Sequence, residues 1–334
     1  MNSYNNTDII TSQPFQQTTK QLFTPTIQLT SHKTEIYSGK FSTDGELYAT
    51  GGGDGEVFIW STFDPQCKCI SHLQTAHAGM ILNLRWNKHS NNNYTLYTVS
   101  TDKTMKIWDI YTSSLIKKYK QTSSVNCIDV YNDNLITTGN DNCILSLYDT
   151  KMKEPIVQVK TNFQINSLAF NYDGSEIFIA GNCKEIECFN IHKQSFINDI
   201  YSFKNGHHKA ITDISLSHSG NYLLSNSMDN SLIIWDVRPF VIDSSKRNIM
   251  TLKGNKHSFE NNLLRCVWNK DDSMVSCGSA DKIVRVWDVD SGNILYELPG
   301  HMGSVNEVDF NSVNDNIIAS VSSDHTSIIG YIFN

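Results

Sequence analysis

The sequence predicts an all-β protein in which seven copies of one four-stranded unit close into a ring. Three observations carry this reading. A turn Asp, or a residue in its place, is followed six positions later by an aromatic or its replacement, at 60, 108, 148, 189, 235, 287 and 330, so the unit recurs at gaps of 48, 40, 41, 46, 52 and 43 residues. In register with that spacing, His32, His77, His207 and His301 each stand four residues ahead of the apolar start of a strand, at Ile36, Ile81, Ile211 and Val305. Between these markers run short apolar strands broken by polar turns, and none approaches the ~18 apolar residues of a membrane span. A period of this size means repeats that bury a core only by stacking on their neighbours.

Taken in order, copy one holds His32, Asp54 and Trp60. Its run Gly51-Gly52-Gly53-Asp54-Gly55 lacks the Gly-Lys-Ser/Thr ending and the following helix of a phosphate loop, so it reads as a turn between strands. Copy two is the cleanest, with His77, Asp102 and Trp108 around the stretch TVSTDKTMKIWDI, Thr98 to Ile110. Copy three substitutes Gln121, Asn142 and Tyr148, and copy four Thr161, Cys183 and Phe189. Copy five restores His207, Asp229 and Trp235. Copy six has Asp281 and Trp287, but His257 precedes Leu263 by six residues, which requires a two-residue insertion. Copy seven has His301 and Asp324 with Gly330 at the aromatic place, and supplies only three strands before Asn334. Its fourth strand is expected from Ile27-Gln28-Leu29-Thr30, which would remove the open sheet edge. The repeat domain is placed at 26–334. Residues 1–25, rich in Asn, Gln and Thr, are expected to be a disordered polar tail.

A G-H…W-D signature at this period resembles the WD-repeat form of β-propeller over residues 32–334. That resemblance implies a buried network in each blade joining the His, a strand Ser or Thr, the turn Asp and the Trp indole. A buried Asp is tolerable only when hydrogen-bonded, and those side chains are suitable donors. The marker residues are therefore expected to be structural. Copies three and four, which lack all three markers, are expected to be the least rigid.

Composition excludes several function classes. Lys plus Arg number 27 against 34 Asp plus Glu, a net charge of −7, and only five residues are Arg. Coating nucleic acid needs the opposite balance, so little or no direct RNA binding is expected. The eight Cys form no C-x-x-C pair and mostly sit in apolar runs, as buried reduced thiols do. Asp44-Gly45 and Asp173-Gly174 are hairpin turns without the further oxygens of a Ca²⁺ loop, and His208 of His207-His208 lacks partners for a metal. No nucleophile–base pair or carboxylate dyad stands outside the repeat. The expectation is a protein that is not an enzyme, with no cofactor, metal, small-molecule substrate or membrane contact.

Three stretches narrow the resemblance: GNYLLSNSMDNSLIIWDVRPF from Gly220, GNKHSFENNLLRCVW from Gly254, and LYELPGHMGSVNEV from Leu295. They look like segments of the WD-repeat proteins of the U5 small nuclear ribonucleoprotein, down to the missing Trp at Gly330. The similarity thins in copies one, three and four. It implies a nuclear, non-catalytic scaffold in pre-mRNA splicing whose partners are the large scaffold protein of the spliceosome and other U5 proteins. Two other readings stay open. Trp235-Asp236-Val237-Arg238 resembles the adaptor motif of cullin-type ubiquitin ligase substrate receptors, and a chromatin-complex adaptor would take a basic tail in its central opening. Two departures from the repeat are candidate partner surface: the connection from Arg238-Pro239-Phe240 to Met250, and the insertion at Ser258–Asn262, with Arg238, Phe240, Phe259 and Arg265 as anchors.

Overall fold

The computed structural model describes residues 26–64, 67–87, 94–192, 195–239, 247–258 and 262–332. It is built entirely of strands, in seven antiparallel four-stranded sheets. Blade two shows the plan. An inner strand (Ile81–Trp86) pairs with Thr95–Ser100, then Thr104–Asp109, then the outer strand Ser114–Lys120. The inner strand of each blade lies beside that of the next, and Val305–Phe310 of blade seven lies beside Ile36–Phe41 of blade one.

Closure uses the N-terminal strand. Thr26–Leu29 pairs antiparallel with Ser327–Tyr331, setting Ile27 opposite Ile329 and Leu29 opposite Ser327. Blade seven is thus completed from both chain ends, one residue earlier than the run 27–30 read from the sequence. The polar tail expected at 1–25 lies outside the described residues.

Apolar side chains explain why a closed ring is required. They form seven clusters, each lying between two blades rather than within one. Blade one, for instance, packs Ile36, Tyr48 and Trp60 against Ile317, Val321 and Ile329 of blade seven. Each fully buried side chain of this kind contributes about 1.5–3 kcal/mol, which an unstacked blade would forfeit.

Six inner strands shift register after their first residue, for example between Ile81 and Asn83 and between Val305 and Glu307. The extra residue bends the strand and re-aims its side chain. Three of these residues are Asn, and each donates to the first inner-strand carbonyl of the next blade: Asn126 to Ile165, Asn166 to Ile211 and Asn306 to Ile36, at 3.1, 3.0 and 2.7 Å. Thr212 likewise donates to the Leu264 carbonyl at 3.0 Å. These stitches were not anticipated, although Asn one residue after the strand start in copies three, four and seven was a readable signal.

Candidate interaction surface

The lock of blade two is built by two turns meeting on one face of the ring. In the turn after the second strand, the Asp102 carboxylate accepts the backbone N–H of Thr104 at 3.0 Å, while Lys103 takes a left-handed conformation. From the neighbouring connection it accepts His77 Nδ1–H at 3.0 Å and the Ala78 N–H at 3.1 Å. Because a carboxylate can only accept, the proton of the neutral imidazole sits on Nδ1. His77 Nε2 then accepts from the Thr98 hydroxyl at 2.7 Å, and Thr98 accepts the Trp108 indole N–H at 3.0 Å. Burial pushes the His77 pKa down. Burial alone would raise Asp102, but the bonds from His77 and Thr104 outweigh it and hold the carboxyl well below its ordinary range.

Blades one and five repeat this chain. His32 bridges Asp54 and Thr50 at 3.0 Å each, and Trp60 donates to Thr50 at 3.1 Å. His207 bridges Asp229 and Ser225 at 3.2 and 2.7 Å, and Trp235 donates to Ser225 at 2.8 Å. Blade seven keeps His301 between Asp324 and Ser320, at 3.1 and 2.8 Å, without an indole at Gly330. In blade three Gln121 takes the His place and donates to Thr138 at 2.7 Å, whereas Asn142 is exposed. Blade four has apolar side chains at the hydroxyl and indole places, Ile179 and Phe189, both buried.

Blade six departs from the expectation for His257, Asp281 and Trp287. The structure does not bring His257 to Asp281. Its N–H donates to Asn230 of blade five at 2.7 Å, its Nε2 lies 3.4 Å from Asn226, and burial pushes its pKa down to about 4. Asp281 instead accepts two bonds from Arg285, at 3.0 and 2.7 Å, and one from Ser279 at 2.7 Å. The cause is local chemistry. Cys277 stands ten residues before Trp287, where the other locks have a hydroxyl, so there is no strong central acceptor and Trp287 donates to the Lys253 carbonyl at 3.1 Å.

The centre of the ring holds charge. Lys40 lies 2.8 Å from Asp309 and 3.3 Å from Glu307. Glu307 also accepts from Ser38 and the Gly39 N–H at 2.6 and 3.0 Å. Burial would raise the Glu307 pKa, but Lys40, Arg265 and Arg85 together bring it below the ordinary value.

Arg265, read from the sequence as a partner anchor, belongs to this centre. It is 2% exposed and reaches from blade six to the Leu82 and Asn126 carbonyls of blades two and three, at 2.9 and 3.3 Å. Those carbonyls belong to bulged residues facing the axis, and Asp213 at 3.5 Å balances the charge. Buried there, Arg265 does not present a surface for anchoring a partner. Arg238 is on the surface, 55% exposed, with its guanidinium held by Asp236. Phe240 and Phe259 lie outside the described residues.

Chemically, the site residues are committed to one another. Among the described residues no group of three or more His, Cys, Asp or Glu could hold a metal ion. Burial pushes the Cys127 thiol up to about 12, far from a reactive thiolate.

Comparison with known proteins fits this geometry. The WD domain, G-beta repeat, matches residues 23–61, 67–109, 197–236, 246–288 and 292–329, leaving the altered blades three and four largely unmatched. The U5 small nuclear ribonucleoprotein 40 kDa protein of Dictyostelium discoideum is 37% identical over 94% of this chain and 86% of its own length. The human protein of that name is 37% identical over 92% of this chain and 84% of its own. The pre-mRNA-splicing factor cwf17 of Schizosaccharomyces pombe is 33% identical over 96% of this chain and 92% of its own.

Proposed function

The chain belongs to the WD-repeat family, in the group of the U5 small nuclear ribonucleoprotein 40 kDa proteins, and on that premise we propose that it is a non-catalytic protein scaffold of that particle in pre-mRNA splicing. One observation carries the reading: similarity at 33–37% identity runs through nearly the whole of both chains, in relatives from three organisms, two named for the U5 small nuclear ribonucleoprotein and one for pre-mRNA splicing. A shared propeller alone would support only the fold. The partners are the large scaffold protein of the spliceosome and other U5 proteins, and the place of action is the nucleus. The absence of catalysis is supported by where the polar side chains go. The lock histidines are buried and bonded on both nitrogens in blades one, two, five and seven, so none is poised as a base. Direct RNA contact is slight, in keeping with the net charge of −7 and five Arg.

The chromatin-adaptor reading loses support because Arg265 reaches across the central opening that a tail would enter. The ligase-receptor reading loses support because the Arg238 guanidinium is already held by Asp236.

Co-purification of the full chain with the large spliceosomal scaffold protein tests the proposal. Binding is expected, and is expected to weaken when Arg238, Phe240 and Phe259 are changed together to Ala in a chain that still folds. No binding to the scaffold protein, or tight binding of the isolated chain to small nuclear RNA at physiological salt, overturns it.

A further inference from the structure

The two faces of the ring differ in charge. One face carries the turns joining first to second and third to fourth strands within each blade. Counting the strand residues bordering those turns, it holds fifteen Asp or Glu against six Lys or Arg among the described residues. Of the six cations, Arg247 is buried, and Arg238 pairs with Asp236, itself one of the fifteen acids. The opposite face, which carries the lock turns and the connections between blades, holds nine acids against ten cations by the same count, Arg265 being buried in the centre of the ring. Among the described turn residues, negative charge is therefore concentrated on one side of the ring.

Local chemistry explains why the acids are there without neutralising them. Asp149 accepts the Lys151 N–H at 2.8 Å, Asp173 the Ser175 N–H at 2.9 Å and Asp288 the Ser291 N–H at 2.8 Å. Asp is favoured in turns because it closes them in this way. Backbone amides satisfy its hydrogen bonding but leave its charge facing outward.

An independent feature shares the same face. The two most exposed tyrosines among the described residues, Tyr111 at 87% and Tyr172 at 72%, project from its turns in blades two and four, with exposed Met152 from blade three between them in chain order. The three blades are joined there. Asn87 of blade two donates to Asp133 of blade three at 2.7 Å, Lys117 of blade two reaches the Thr150 carbonyl of blade three, and the Tyr131 ring of blade three lies against Gly174 of blade four. Exposed aromatic rings beside carboxylates suit guanidinium and ammonium groups, by ion pairing and by contact with the ring face. A phosphate backbone would be repelled.

We propose that this acidic, tyrosine-bearing face docks a Lys- and Arg-rich protein segment. The inference deepens the scaffold reading and rests on it only for the premise that a protein partner exists.

The test uses the full chain and a labelled oligo-arginine peptide at physiological salt. One variant reverses three exposed acids of this face, Glu154→Lys, Asp271→Lys and Asp290→Lys. A control with the same change in net charge reverses three half-buried acids on the other face, Glu35→Lys, Glu56→Lys and Glu185→Lys. A third variant carries Tyr111→Ala and Tyr172→Ala. All must melt cooperatively as the parent does. The acidic-face variant is expected to lose about tenfold or more in affinity, the control about twofold, and the tyrosine variant an intermediate amount. Equal losses from the two reversals would mean that only net charge matters, and undiminished binding by the acidic-face variant would place the site elsewhere. Either overturns the proposal. Because the peptide assay needs no spliceosome, face-specific binding by a chain that fails to join the splicing machinery would sink the scaffold reading alone.

Discussion

At the scale of single residues, the lock aspartates carry the most consequence. Asp102→Ala leaves the buried His77 Nδ1–H without its carboxylate acceptor, at about 1–3 kcal/mol, while water can take up the exposed Ala78 N–H. Asn142→Ala, at the matching place of blade three, removes one 3.3 Å bond to Thr122 at the surface and is expected to cost less than 1 kcal/mol. Denaturant melts check the ranking, and the reverse order would refute the lock. Acid should act in two stages. The folded pKa values of His77, His257 and His301 lie below the unfolded value of 6.5, so their contribution is complete above that pH and is lost as pH falls and the unfolded state takes up protons first. The depressed carboxyls follow: Asp102 and Asp324, the latter down to about 2, contribute fully above the unfolded value of 3.8 and lose that contribution below it. Melting temperature is expected to fall from about pH 6.5 downward, and more steeply below about pH 4. A rise on acidification from pH 7 to 5 would contradict these assignments. Sequence spacing made His77, Asp102 and Trp108 legible because a period shows itself by repetition. Arg265 escaped because its partners, Leu82 and Asn126, lie across the ring and share no spacing with it.

At the scale of the blade, blade six shows how far a period can be trusted. The spacing placed Asp281 correctly in its turn and Trp287 in its strand, but not their partners. One atom explains the difference, the Cys277 sulfur in place of a hydroxyl oxygen, together with the two-residue insertion that displaces His257. Arg285→Ala is therefore expected to destabilise by about 2–3 kcal/mol, since it leaves the Asp281 carboxylate without its main donors. His257→Ala should cost less, because its imidazole makes only one long contact, at 3.4 Å. Chemical denaturation of the two variants checks this, and a larger loss from His257→Ala would restore the ordinary lock to blade six. The closing strand was legible from what copy seven lacked. Deleting residues 1–25 is expected to leave thermal stability nearly unchanged, whereas deleting 1–31 removes the partner of Ser327–Tyr331 and the buried Leu29, and should lower it sharply. Equal effects in a thermal melt would refute closure by Thr26–Leu29.

For the whole molecule, the ring turns marginal parts into one stable body. Seven cores lie between blades, and the Asn stitches and central charges tie inner strands together. What remains for function is surface: two faces of different charge, and turns that depart from the repeat. The distribution of charge between those faces could not be read before the topology was known, because alternate turns along the chain fall on opposite sides. The central claim is that this surface serves the splicing machinery as a protein scaffold. Affinity purification of the tagged full chain from nuclear extract, with proteins and RNAs identified together, tests it most directly. The expected result is recovery of the large spliceosomal scaffold protein with U5 small nuclear RNA, the protein association surviving ribonuclease. Recovery of a ubiquitin-ligase adaptor or of histone-modifying enzymes, without splicing proteins, would contradict it.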